Sequence, residues 1–202
     1  MRFADVGDSA LLVETDGSAD AHRVWSALRA ADLPGIDDCV VGARSVLVVV
    51  DPRVADLDRV RQVAGTPGPE TSAAPGRTVD VPVTYDGADL DDVAEITGLS
   101  TVDVVRRHSA ATYLVSFLGF SPGFAYLSGV DPVLQVPRRE TPRTRVPVGA
   151  VAIAGEYSAV YPQETPGGWR LIGRTDLQVF DAGRADRPAL LAPGDRVRFV
   201  PR

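Results

Sequence analysis

Apolar and polar residues alternate with different periods along the chain, and each change of period marks an element. Ala10 to Val13 is a short apolar run after a Gly7-Asp8 turn and reads as a strand. From Ser18 the spacing lengthens. Ala21, Val24, Trp25, Leu28 and Ala31 share one helical face, Ser18 can cap it, and Pro34-Gly35 stops it. Val40-Val41 and Val46 to Val50 are β-rich runs split by Gly42-Ala43-Arg44, the pattern of a hairpin. After Pro52, a second helix turns Val54, Leu57, Val60 and Ala64 inward and ends at Gly65.

The stretch 66–77, TPGPETSAAPGR, carries Pro, Gly and Ser without an apolar period, which predicts a linker. Val79, Val81 and Val83 then alternate as a strand. Counted with the first half, that strand completes β-α-β-β-α-β, the order of a ferredoxin-like sandwich; it can equally open the second domain. The expected division is 1–77, a small α+β domain, and 78–202, a mainly-β domain. Helices are expected near Leu90 to Thr97, closed by Gly98, and from a Ser100 or Thr101 cap to about His108. Beyond Tyr113, β-type runs at 113–117, 148–153, 177–180 and 197–200 are broken by Pro and Gly, a sign of a closed or nearly closed barrel.

Composition narrows the chemistry. All 21 basic residues are arginine, since the sequence has no lysine, and the net charge is −6. A Walker A lysine, a Schiff base and a lysine nucleophile are thereby excluded. A net negative chain also lacks the phosphate-neutralising charge that drives non-specific nucleic-acid binding. The single cysteine, Cys39, forbids an internal disulfide and sits in an apolar run as a small hydrophobe would. The acidic start and the lack of any apolar stretch near ~18 residues predict neither a secretory signal nor a membrane span. A cytoplasmic setting is expected.

No HExxH, G-x-S-x-G or phosphate-loop motif is present, and two histidines with one cysteine do not supply a structural zinc site. Three segments hold the candidate chemistry. Residues 119–127, GFSPGFAYL, place aromatics around a Pro-Gly turn, either to plug a barrel end or to wall a pocket. Residues 137–147, PRRETPRTRVP, hold four arginines on a backbone that prolines keep from forming a helix. Arg139 and Arg145 read as solvated. Arg138 and Arg143 each follow a proline and suit bidentate capture of a carboxylate or phosphate. Residues 161–169, YPQETPGGW, set Glu164 beside a Pro-Gly-Gly turn and an indole. His108, a helix cap or core group by default, is the one nearby side chain that titrates near neutral pH.

These motifs, with PGDRVRF at 193–199 and GDSALLV at 7–13, resemble the allophanate hydrolase subunit 1 family, which includes the B-type subunit of 5-oxoprolinase and the kinase inhibitor KipI. The resemblance implies a C-terminal cyclophilin-like barrel. It also implies two partners: a C-type subunit, the homologue of allophanate hydrolase subunit 2, and the A-type subunit of 5-oxoprolinase. Together these would open 5-oxo-L-proline to L-glutamate with ATP, the site of the nucleotide being open and this chain inactive alone. Carried over, the family's pocket motifs fall on His108, Phe120, Arg138, Arg143, Glu164 and Thr175. His108 and Glu164 would handle a proton, and Arg138, Arg143, Phe120 and Thr175 would hold substrate, with no metal. Ala150 departs from the serine expected in its motif. The rival readings are turnover of urea-derived allophanate and KipI-like inhibition of a histidine kinase.

Overall fold

The computed structural model describes residues 1–66 and 76–202, which fall in two compact units, one within Met1–Pro75 and one comprising Gly76–Arg202. Most of the expected linker lies outside the described residues.

The first unit is a four-stranded antiparallel sheet with two helices. Strands β1 (Arg2–Val6) and β2 (Ala10–Glu14) form a hairpin, helix α1 (Ser18–Ala31) follows, then strands β3 (Ile36–Val41) and β4 (Ser45–Val50), and helix α2 (Leu57–Gly65). The sheet order is β1-β2-β4-β3. Leu11 and Val13 of β2 and Val46, Val48 and Val50 of β4 point into one core, as period-two alternation requires. Against them pack Ala21, Val24 and Leu28 of α1 and Val60 and Ala64 of α2. Val54 lies outside the helix and is exposed.

The β-α-β-β-α-β order is not found. The sequence RFADV supplies β1, an edge strand with little burial and hence little alternation to read. The strand at Thr78–Val83 (β5) pairs in parallel with the last strand of the second unit. The observed order is β-β-α-β-β-α, with the edge of the sheet taken from the start of the chain.

The second unit is built on a seven-stranded sheet. Its strands are β5, β6 (Thr112–Leu118), β7 (Ala125–Ser128), β9 (Ala150–Ala154), β10 (Tyr157–Val160), β12 (Arg170–Arg174) and β13 (Arg196–Pro201). The order is β12-β9-β10-β7-β6-β13-β5. Thr84 and Arg174 exchange both backbone hydrogen bonds at 2.9 Å, joining the two edge strands into a nearly closed barrel. Val81, Val115, Leu127, Ile153, Val160, Ile172 and Phe199, one from each strand, belong to a single buried cluster. Helices α3 (Leu90–Thr97) and α4 (Thr101–Ala110) match their expected spans, with Gly98 left-handed after α3 and Ser100 accepting from Asp103 N at the start of α4. The run at 177–180 is not a strand; it makes one isolated bridge, Phe180 with Ala189. A separate two-stranded ladder joins β8 (Arg143–Val146) to β11 (Thr165–Gly167).

Candidate anion site on the barrel

Asp89 stands before the first turn of α3 but does not cap it. Its carboxylate, fully buried, turns instead to three partners that are distant in sequence. Arg143 reaches it through both terminal nitrogens, Nη1 at 2.7 Å and Nη2 at 2.8 Å. Arg139 Nη1 donates at 2.6 Å and the Leu171 amide at 2.7 Å. The Asp89 amide also donates to the Leu171 carbonyl at 2.9 Å. Burial pushes the Asp89 carboxyl up, but the hydrogen bonds from Arg143 and Leu171 and the charges of Arg143 and Arg139 outweigh it and hold the pKa below the usual carboxylate range.

The remaining arginines of the loop are placed differently. Arg145 pairs with Glu164 at 2.6 Å across the β8–β11 ladder, both side chains well exposed. Asp92 takes Arg170 at 3.0 Å and lies 3.8 Å from Arg139. Arg138 has no carboxylate partner among the described residues; its guanidinium lies over the ring of Trp169, 5.9 Å from the centroid.

Beside it is an aromatic cluster centred on buried Phe124. The rings of Phe120, Tyr126, Tyr161 and Trp169 stand around it edge-on, at centroid distances of 5.3, 5.1, 5.2 and 5.5 Å. Phe120 has a φ of +67° and is 62% exposed, so a large apolar ring is presented outward from a left-handed backbone position. Such a conformation persists in a non-glycine residue only where the surroundings hold it. Gly123 makes the return of this turn possible, because a Cβ there would meet the Phe180 side chain at 2.5 Å. The hydroxyls of Ser121 and Thr165 are shielded from solvent and have no hydrogen-bond partner among the described residues.

The candidates drawn from sequence therefore separate. Arg138 and Phe120 are exposed at the aromatic cluster. Arg143, expected to meet substrate, is committed to Asp89, and Arg139, expected to be solvated, joins it there. Thr175 is buried: its amide donates to Gly149 O at 2.8 Å and its Oγ1 accepts from Leu177 N at 3.1 Å, which makes it the fastener of a turn.

His108 is likewise enclosed, with no exposed surface. Ser158 Oγ donates to the Ala152 carbonyl at 3.2 Å and so accepts from His108 Nε2–H at 2.9 Å. That leaves Nδ1 to accept from the Tyr85 hydroxyl at 2.8 Å. Burial lowers the pKa to about 3, so the ring is neutral and both nitrogens are occupied. Asp89 and Asp92 escaped the sequence reading; their local signals, an acid before a helix and another in its first turn, resemble an ordinary helix start.

Comparison with known proteins agrees with this architecture. A model of the carboxyltransferase domain, subdomains C and D, matches residues 1–191. The B-type subunit of 5-oxoprolinase from Escherichia coli O157:H7 is 41% identical over 205 residues, covering 97% of this chain and 94% of that protein. Its counterpart from Bacillus subtilis (strain 168) is 45% identical over 127 residues, 61% of this chain and 52% of its own length. The Saccharomyces cerevisiae urea amidolyase matches more faintly, 31% over 120 residues and 6% of its length. Among solved structures, that of TTHA0988 superposes with a TM-score of 0.83 at 36% identity, covering 96% of this chain and 40% of the other. That of PH0987 from Pyrococcus horikoshii gives 0.60 at 37% identity, covering 100% and 97%. With the family model spanning most of its residues and a relative matched almost end to end, the chain belongs to the carboxyltransferase subdomain C and D family.

Proposed function

We propose that the chain is the B-type subunit of an ATP-dependent 5-oxoprolinase and that the barrel holds the carboxylate of 5-oxoproline at Arg138. The reading rests on the end-to-end match to the B-type subunit of a 5-oxoprolinase, and it is drawn to Arg138 by one observation: this is the arginine of the loop that no carboxylate neutralises among the described residues. Arginine suits the task because its planar fork meets a carboxylate with two parallel donors. The aromatic cluster gives the apolar ring of the substrate a surface, and Phe120, held outward, is its exposed edge.

Lactam opening requires an anion to be steadied while amide resonance is lost. We assign the carboxylate grip to Arg138 and proton handling to Glu164 rather than to enclosed His108, with Arg145 pairing with the Glu164 carboxylate. A C-type subunit and an A-type subunit complete the assembly in the cytoplasm. ATP acts at the level of that assembly; this sequence carries no phosphate-loop motif and no lysine.

The urea amidolyase matches favour allophanate turnover less, being both more distant and shorter. Among the described residues, no helix is long and apolar enough to cross a membrane.

The test is glutamate release from 5-oxoproline and ATP by the reconstituted A-type and C-type partners, with and without this chain. Activity is expected only with it. Replacing Arg138 by alanine should raise the KM for 5-oxoproline roughly 10- to 100-fold, the loss of one charge-assisted hydrogen-bonded contact. Full activity without the chain, or an unchanged KM in the variant, defeats the reading.

A further inference from the structure

Five arginines gather around the loop and its neighbours: Arg138, Arg139, Arg143, Arg145 and Arg170. Taken by composition, such a cluster would suit a polyanion, the phosphate chain of a nucleotide above all. The pairing says otherwise. Asp89 takes Arg143 and Arg139, Asp92 takes Arg170, and Glu164 takes Arg145. Three carboxylates thus pair with four of the five guanidiniums, and Arg138 is left without a carboxylate partner among the described residues. Of these carboxylates only Asp89 is fully buried, and only it binds two of the arginines within 3 Å.

We propose that Asp89 is the positioning residue of the anion site: by drawing Arg139 and Arg143 inward it leaves Arg138 as the one guanidinium of the five with no carboxylate partner among the described residues, so that the site accepts a single carboxylate and excludes the phosphate chain of a nucleotide. This rests on the assignment of Arg138 above. The geometry gives Asp89 leverage over Arg138 through the chain itself. Arg139 is the next residue, and its amide donates to Gly168 O at 2.7 Å, so the backbone that carries Arg138 is tied to the turn between β11 and β12. Gly168 is in turn the neighbour of Trp169, the ring beneath Arg138. Arg138 and its aromatic support are thus set by the same contact, and Asp89 anchors both sides, Arg139 by its side chain and the following strand through Leu171. The nucleotide of the proposed reaction would then be held by another member of the complex.

The experiment compares wild type with Asp89→Asn, Arg143→Lys and Arg138→Ala in the assembled complex. Two readings are taken: KM and kcat for 5-oxoproline, and binding of inorganic triphosphate to the chain by calorimetry. For wild type the expectation is no triphosphate binding in the low millimolar range. Asp89→Asn keeps the shape and removes the charge. It should raise KM at least tenfold with little change in kcat, and triphosphate should now bind, because two guanidiniums are released. Should that variant fail to fold, Arg143→Lys decides: it keeps the charge but breaks the two-nitrogen grip, and KM should again rise while kcat holds.

A merely structural role for Asp89 predicts lower yield or stability with KM and anion preference unchanged, and that result overturns the proposal. Triphosphate binding to wild type that Arg138→Ala abolishes overturns it as well. If Arg138→Ala leaves KM unaltered, the carboxylate reading of the site has failed, and this inference goes with it. If Arg138→Ala raises KM and the Asp89 and Arg143 variants do not, the positioning role alone has failed.

Discussion

The enclosure of His108 makes a quantitative claim about acid stability. A histidine that must stay neutral inside the barrel has a pKa of about 3 in the folded protein against 6.5 for the free side chain, with burial as the cause. The folded value is the lower one, so the unfolded chain binds the extra proton as pH falls through 6.5, and stability drops with it. The loss would level off only below the folded pKa. Between pH 7 and pH 5 the linkage relation gives a decrease of about 2 kcal/mol, and by pH 4 about 3 kcal/mol. The carboxylate of Asp89 in the same unit adds to this only at lower pH, where unfolded aspartates begin to protonate. The upper window belongs to His108, because the other histidine, His22, lies in the first unit. The units also divide the two tryptophans, Trp25 and Trp169. Urea unfolding in a Trp25→Phe background, followed by Trp169 fluorescence, therefore reads the barrel. Its midpoint should fall steadily from pH 7 to pH 5, and His108→Asn should lower stability at pH 7 but flatten that slope. A flat wild-type profile, or the same slope in the variant, would refute the neutral buried histidine and restore His108 as a group that titrates in contact with solvent.

Three further substitutions test turns of the second unit. Phe120→Gly removes an exposed aromatic from a left-handed position that costs an L-residue roughly 1–2 kcal/mol. Its thermal stability should stay within about 1 kcal/mol of wild type while the KM for 5-oxoproline rises; a loss beyond about 2 kcal/mol would mean that the ring is a packing element. Gly149→Ala places a Cβ 2.2 Å from Thr175 O, whereas Gly155→Ala, also at positive φ, meets nothing within 4 Å. The first should cost at least about 2 kcal/mol and the second about 1 kcal/mol in denaturant titrations, and equal costs would show that the Gly149–Thr175 contact does not constrain the turn.

What could be read from the sequence follows the range of the interactions. Helices α1, α3 and α4 were legible because their signals act within a few residues: an apolar face in each, the Ser100 cap of α4 and the left-handed Gly98 after α3. The barrel was legible in outline, since many short alternating runs must close on one another. The first sheet was misread at its edges. Thr78–Val83 alternates as a strand of either unit would, and nothing local tells a strand which sheet it joins. Arg2–Val6, which took the edge instead, has a burial pattern too open to alternate. The arginine loop shows the same limit at the level of side chains. A preceding proline stiffens the backbone at Arg138 and Arg143 alike, yet one faces outward over Trp169 and the other turns into Asp89. The partner that decides between them lies 54 residues away from Arg143, and its own neighbourhood resembles a helix cap.

Asp89 also bears on why a small acidic protein carries so many arginines in one loop. Buried ion pairs yield little net stability, because desolvating the charges offsets most of their attraction. Their use here must be sought in geometry. The segment 137–147 has three prolines and only the short strand β8, so few backbone hydrogen bonds hold it in place. A bidentate guanidinium has a fixed direction as well as a charge, and two arginines converging on one carboxylate fix the loop at two points. Apolar side chains could fill the same space without specifying the turn of the backbone between them. Lysine in either place would keep the charge and lose the direction. Arginine at 139 and 143 is what a loop positioned in this way requires, and the cation without a carboxylate partner at its outer edge is then held at a defined place above Trp169 rather than free to swing through solvent.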